Sequence, residues 1–508
     1  MMFRVFLFLS FIAIVFGIPR GFDFSDEGLY VLLADPNQQN IGGVFNYDLF
    51  FKLLYRISGL EFGIVELRIL RLLTYIAGAF GLAVFWKHLF DTEKISLIIF
   101  LMALIGLFSG YGFLPPTLSY NSISVVAACL WLGIISKREL NSIDWLFLGL
   151  VFLILFYAKI SVGLFLGLFT LIYFLWKKEL SFSGLLLLCL PLIFFEGLFF
   201  FSFGENGLSR LTGEYGFLFQ REDYSVFKLI KYTTVGGFWC FLAGLLFFIA
   251  ARLKRANFKL YPMLLVVAIF GLFLVFYLTF ITSEWSHLIL LATFSAISWQ
   301  MGNISKNEFS KRETFFFLIL VLLPFFLHFG SNVYWLRLGI HYWVFWLFAL
   351  MILLKGTSAQ FKMRFNSFAS FFSMILVLFG LWFTPFEGEY LWNATRAWEY
   401  KTGKKILLSE KQVEFLNAIN AEIGNTEDTE IVSLFSNPGI LYLLDMNLPF
   451  SPAYWKSSQA SLFLQNGDSL DFILFNELEP FPFDRSIWVL KKELIQPNGE
   501  NLQILWKK

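Results

Sequence analysis

Charge is the first thing this chain has little of. Asp, Glu, Lys and Arg make up 15% of its 508 residues, against about 25% in an ordinary soluble domain. Together with 58% hydrophobic residues and a mean hydropathy of +0.69, that shortage excludes a soluble globular protein. Cysteine is scarce too. Cys129, Cys189 and Cys240 all lie inside apolar stretches, and no Cys-x-x-Cys or Cys/His spacing accompanies them. A disulfide framework, a zinc motif and a redox motif are therefore excluded, and the thiols read as small packed hydrophobes. The net charge is only +2, with the basic residues dispersed, so the chain has no nucleic-acid-binding face and nucleic acid is not expected as a partner. No small-x-small cleavage signal follows the apolar run from Met2 to Ile18. The exit reads Gly17-Ile18-Pro19-Arg20, which points to a retained anchor and not a cleaved leader. Neither a long internal repeat nor a low-complexity linker is found.

Long apolar runs are what the chain has in abundance. A bilayer core about 30 Å thick needs roughly 20 mostly apolar residues per helical span. Stretches of this kind recur near 2–19, 66–86, 95–114, 118–135, 143–158, 160–176, 184–203, 234–251, 260–281, 286–300, 314–330, 334–354 and 367–385. The 68 Phe residues read as lipid-compatible bulk, not as a binding code. The connections test the topology. With the N-terminus cytoplasmic, the inside connections hold sixteen Lys and Arg residues. The four short outside connections hold only Lys159 and Arg337. Short-loop Lys/Arg bias sets orientation, and every predicted inside loop obeys it. The expected fold is an all-α polytopic membrane protein of about thirteen transmembrane helices, residues 1–386, in the cell membrane (the inner one, if the source is bacterial). Two outside loops are long, 20–65 and 204–233, and long ordered loops on a rigid scaffold often carry function. From about residue 387 the composition turns acidic, with 11 Lys and Arg against 17 Asp and Glu. Ser409 and Gln412 form a capping box ahead of an apolar face at Val413, Leu416, Ile419 and Ile423. Strand-like runs follow at 431–435, 472–475, 487–490 and 502–506, and Asn437-Pro438 opens a helix. Residues 387–508 thus form a small α/β domain, placed outside by the span count.

The segment most suggestive of chemistry follows the first span: Gly21-Phe22-Asp23-Phe24-Ser25-Asp26-Glu27-Gly28-Leu29-Tyr30. Three carboxylates lie within five residues. One reading is structural. A helix starting near Ser25 would place Asp26 and Glu27 in its first turn, where the helix dipole favours negative charge. The other is a general base, or a cation ligand, beside a lipid-embedded substrate.

A first span followed by an outside loop opening on Asp-Glu-x-x-Tyr resembles the GT-C superfamily of membrane glycosyltransferases. The nearest likeness is to the protein O-mannosyltransferase and lipid A aminoarabinose transferase group. Residues 44–59 resemble the family's second juxtamembrane helix. Arg71 to Gly78 is similar to its Arg-Leu-x-x-x-x-x-Gly opening of the second span, and Tyr157-Ala158-Lys159 to its aromatic-x-Lys turn. Asn437 to Tyr442 resembles a stretch of its C-terminal tails, and thirteen spans with an outside C-terminal α/β domain is the family's architecture. Where the family usually shows a Pro-Pro pair, this chain has Tyr47-Asp48.

The resemblance implies a transfer from a polyprenyl-phosphate-linked sugar to a lipid, glycan or protein acceptor at the outer face, by single displacement with inversion. Asp26 would be the catalytic carboxylate, with Glu27 beside it and Tyr30 one turn on. Asp48 would add a second acidic group. Lys159 and Arg337 would stabilise the departing phosphate, helped by Lys52, Arg56, Arg68 or Arg221. Tyr120 and Asn121 would line the sugar pocket. His287 and His341, near outer span ends, read as satisfied interfacial residues. Members of the superfamily differ in whether they use a divalent cation, so metal dependence is open. Two other classes compete. An O-antigen polymerase or ligase should carry its large functional loop late in the span order. A transporter or lipid flippase should place ionisable residues near the bilayer midplane and often shows inverted repeats; Glu196, inside the seventh apolar stretch, is the one residue of that kind. A catalytically silent scaffold of the same fold is a further alternative.

Overall fold

The computed structural model describes all residues except 1, 42, 44, 214–224, 283–284, 305–308, 384, 386–388 and 425–429. Helices dominate. In chain order they are α1 (Met2–Gly17), α2 (Asp26–Ala34), α3 (Asp48–Ser58), α4 (Ile64–Leu89), α5 (Leu97–Phe108), α6 (Tyr120–Ile135), α7 (Ser142–Ala158), α8 (Ile160–Lys177), α9 (Phe182–Phe203), α10 (Gly207–Thr212), α11 (Val226–Arg255), α12 (Tyr261–Thr279), α13 (His287–Asn303), α14 (Lys311–His328), α15 (Trp335–Leu338), α16 (Trp343–Leu353) and α17 (Ala359–Val377). Each apolar stretch of the sequence coincides with a helix, and the stretches at 143–158 and 160–176 are two helices broken at Lys159. Among the described residues, seven helical segments are long and apolar enough to cross a membrane: Ile64–Leu89, Ile160–Lys177, Phe182–Phe203, Val226–Arg255, Tyr261–Thr282, Trp335–Leu353 and Ala359–Phe383. Four others, α1, α5, α6 and α7, are shorter apolar helices.

The packing separates two kinds of helix. The segment holding α16 is almost enclosed, while α9 and α12 expose apolar side chains such as Phe194, Phe201, Phe270 and Tyr277. An element apolar all round needs an apolar neighbour. Within the bundle, α4 and α6 approach at small residues. A Cβ on Gly81 would come within 2.8 Å of the Cys129 carbonyl oxygen, and one on Gly133 within 2.8 Å of the Gly81 oxygen. Such contacts let two backbones share dispersion where burial from water supplies no drive. Ion pairs collect at the helix ends. At one end Asp91 meets Arg138 at 2.5 Å and Arg312 at 3.4 Å, Glu313 meets Lys355 at 2.6 Å, and Asp144 pairs with Lys137. The loops 20–65 and 204–213 and the C-terminal domain lie at the other.

The C-terminal domain begins with an antiparallel pair, β1 (Arg396–Lys401) and β2 (Lys404–Leu408), then α18 (Glu410–Ile423). The sequence reading missed this pair, because Lys and Glu interrupt its apolar positions. The Ser409/Gln412 capping box is present, with backbone-to-side-chain bonds of 3.2 and 3.3 Å. Next come β3 (Ile431–Leu434), α19 (Pro438–Leu443), α20 (Ser457–Phe463), β4 (Phe472–Asn476), β5 (Trp488–Ile495) and β6 (Asn501–Lys507). The sheet runs β3-β4-β6-β5, parallel between β3 and β4 and antiparallel elsewhere.

This domain shares its core with the first long loop. One apolar cluster contains Phe22, Leu29, Tyr30, Leu32 and Phe51 from residues 20–65, together with Leu416, Ile440, Tyr442, Leu448 and Ile473. Two close backbone contacts fix the docking. The Leu407 amide donates to Pro19 O and the Gly21 amide to Leu407 O, both at 2.8 Å. Gly28 of α2 lies against Gly439 of α19 so closely that a Cβ would fall 2.3 Å from the Gly439 nitrogen. Lys401 is held between Asp35 and Glu61, each at 2.6 Å. Although burial opposes it, these two carboxylates keep the Lys401 ammonium above its ordinary pKa.

Candidate functional site

Helix α2 is nearly all buried between the bundle and the C-terminal domain. Its start is built by the three carboxylates of the loop, each used differently. Asp23 caps the helix. Its carboxylate accepts from the Ser25 and Glu27 amides, both at 3.0 Å. The capping carboxylate is thus two residues before Ser25, and not Asp26 or Glu27 of the first turn. Glu27 is 1% exposed and forms a two-bond pair with Arg68, Nε to Oε1 and Nη2 to Oε2, both 2.9 Å. Arg68 also donates to the carbonyls of Ile18, Arg20 and Gly21, each at 2.7 Å. Buried charges persist where their hydrogen bonds are filled, and this pair ties the end of α1 to the start of α2 and to α4. Asp26 is half-buried.

One helical turn beyond Asp26 stands Tyr30, buried. Burial first, then the Asp26 charge, raises its phenol well above the usual value. Tyr30 meets Tyr120 edge-on at 6.2 Å, and Tyr120 stacks on Phe45 at 4.4 Å. The Lys159 ammonium lies 5.5 Å from the centre of the Tyr120 ring, within cation–π range. Lys159 occupies the break between α7 and α8. It donates to Leu327 O at 2.7 Å and has no carboxylate partner among the described residues. Burial pushes its pKa down to about 7. Beside this cluster the Asn121 Oδ1 and Thr117 Oγ1 atoms are buried with no hydrogen-bond partner among the described residues.

Asp48 stands elsewhere. Its carboxylate receives both Arg210 amino groups, at 2.6 and 2.9 Å, and Lys52 at 3.1 Å. Arg210 also grips Glu205 at 2.8 and 2.9 Å. Burial works against the charge of Arg210, yet Asp48 and Glu205 raise its pKa above that of a free guanidinium. The first long loop is clamped to the second in this way. Arg337 is exposed on α15. Lys52 and Arg56 lie on α3, and Arg221 falls outside the described residues. Glu196 has a local use. It accepts from the Tyr157 hydroxyl at 2.8 Å and from the Leu208 amide at 3.2 Å, holding the start of the second loop.

Of the candidates from the sequence, Asp26, Tyr30, Tyr120 and Lys159 share one cluster, with Asn121 next to Tyr120. Glu27 and Asp48 are engaged in ion pairs. Arg71 belongs to the Arg-Leu-x-x-x-x-x-Gly motif at 71–78. It is fully buried one turn along α4 from Arg68, donates to Pro115 O at 2.6 Å, and lies 4.2 Å from the Tyr111 ring centre. Its spacing from Arg68 was visible in the sequence; its carbonyl partners were not. Among the described residues no three His, Cys, Asp or Glu side chains are grouped to hold a metal ion. The chain matches no known family model, and no curated protein matches it significantly.

Proposed function

We propose that this protein is a polytopic membrane glycosyltransferase of the GT-C type, drawing its sugar from a polyprenyl-phosphate donor at the outer face. One observation carries the reading. A half-buried carboxylate, Asp26, opens a helix whose next turn leads through Tyr30 and Tyr120 to the buried cation Lys159. In the proposed reaction Asp26 removes the proton from an acceptor hydroxyl as that oxygen bonds to the anomeric carbon. The bond from that carbon to the phosphate oxygen breaks, and the lipid phosphate leaves with the electron pair. Charge grows on the phosphate as it departs, where a preoriented cation helps most. Lys159 supplies it, while Tyr30, Tyr120 and Asn121 face the sugar. Glu27 positions Asp26 by fixing the first turn of α2 through Arg68. The proposed topology has thirteen spans with the N-terminus cytoplasmic and the C-terminal domain outside. It rests on the match between apolar stretches and helices and on the Lys/Arg bias of the short loops.

The test is release of polyprenyl phosphate by purified protein from a panel of polyprenyl-phosphate sugars, with Asp26→Asn as the comparison. The reading expects turnover by the wild type and its loss, by about a hundredfold or more, in a variant that still folds and binds donor. Undiminished turnover in Asp26→Asn would remove the assigned base. A wild type inert toward every donor and acceptor extract would remove the reaction.

A further inference from the structure

A second set of groups lies away from Asp26, beyond the far end of α2. Residues 36–41, α3 and the end of α9 shape an open pocket of about 390 Å³ lined by Asn37, Gln39, Lys52, Tyr55, Arg56 and Glu205, among others. Its volume suits a small polar headgroup. As α2 has nine residues, its far end, where the lining segment 36–41 follows, lies about 12 Å from Asp26. The charges do not cancel. Among the described residues Lys52, Arg56 and Arg210 stand with Asp48 and Glu205, three cations to two carboxylates. Arg56 is the surplus cation: its guanidinium donates to Ser202 O, rests over Phe203, and has no carboxylate partner among the described residues. A ligand bearing one negative charge would balance the set.

Exposed apolar side chains flank the lining residues in the chain. Ile57, on the helix that carries Arg56, is 74% exposed, and Leu54 and Leu60 are exposed with it. Phe201, two residues before Phe203, is 88% exposed. A helix with one strongly polar and one greasy face lies flat in a membrane interface, and α3 has that character.

We propose that this cavity binds the phosphodiester headgroup of an anionic membrane lipid, with Arg56 and Lys52 on the phosphate and the acyl chains along the exposed faces of α3 and α9. The amides of Asn37 and Gln39 would meet headgroup hydroxyls. The inference does not depend on the transferase reading, since it concerns a separate pocket and is read by binding.

The experiment is native mass spectrometry of the full chain, purified with phosphatidylglycerol, phosphatidylcholine or both, for wild type, Arg56→Gln and Lys52→Gln. Retention of phosphatidylglycerol over phosphatidylcholine is expected, weakened about tenfold in Arg56→Gln, since a charge-assisted bond is lost. Arg56 has no ion pair among the described residues, so its variant tests binding with least disturbance; Lys52→Gln adds a second, weaker decrease. Inorganic phosphate at millimolar concentration should not displace the lipid. Equal retention of both lipids, an unchanged Arg56→Gln in a protein of unaltered melting temperature, or full displacement by inorganic phosphate would each overturn the proposal.

Discussion

Glu27 and Arg68 show how one side chain can be read two ways from sequence and one way in the fold. A carboxylate beside Asp26 invites a catalytic role, but its two oxygens are filled by Arg68 at 2.9 Å in a nearly solvent-free site. Removing one partner of such a pair leaves an uncompensated buried charge. Arg68→Met should therefore lower stability by about 3–5 kcal/mol, seen as a lower midpoint in denaturant titration of the detergent-solubilised protein; an unchanged midpoint would contradict the assignment. Lys159 makes a prediction in pH. Its ordinary pKa of 10.5 falls to about 7 on burial. Between these values the unfolded chain holds a proton that the folded one has shed, so the cost of burying Lys159 is full below about pH 7 and fades as pH rises toward 10.5. Donor binding has the opposite slope. The phosphate needs the ammonium, so donor affinity should weaken about tenfold per pH unit above about 7. Lys159→Arg, charged throughout, should flatten that dependence. A wild-type affinity flat from pH 6 to 9 would count against Lys159 as the phosphate's cation.

At the scale of elements, α2 is the piece on which the rest depends. Its residues read as a short apolar helix, but nearly its whole surface is covered, by the bundle on one side and the C-terminal domain on the other. The covering is tight because neither Gly28 nor Gly439 has a side chain. Gly28→Ala would thrust a Cβ to 2.3 Å from the Gly439 nitrogen, against backbone that cannot rotate away. Overpacking of this sort should cost about 1–3 kcal/mol. Limited proteolysis should then release the C-terminal domain earlier than in wild type. Equal protection of the two proteins would show that the contact does not hold the domain. Elements also explain which parts of the C-terminal domain could be read in advance. Leu416, Ile419 and Ile423 repeat at helical spacing behind a capping box, so α18 was visible. Residues 396–408 are two short, charge-rich strands. Their pairing depends on a turn and on Pro19 to Gly21, nearly four hundred residues away in the chain.

For the whole molecule, the arrangement to test is the proposed orientation. Alkaline phosphatase fused after Lys508 should be active, and the same enzyme fused in the loop at Lys137 should be silent, because it folds only outside the reducing cytoplasm. The reverse pattern would invert the topology and move Asp26 to the wrong face for the proposed donor. Charge gathers at the two helix ends: Asp91, Arg138, Arg312 and Lys355 at one, and the Arg68 and Arg210 pairs at the other.

Composition and periodicity alone determined that the chain is mostly helical, apolar and followed by a small α/β domain, since hydrophobic runs and capping residues are local and act within a turn or two. They also marked the opening of the first loop as the place to look. Only tertiary structure decided the division of labour there. That Glu27 pairs with Arg68 and Asp48 clamps Arg210 depends on residues brought together from 41 and 162 positions apart. So does the sharing of one core by the first loop and the C-terminal domain. Ion pairs and aromatic contacts are set by distance in space, and no spacing along the chain encodes a partner that far away.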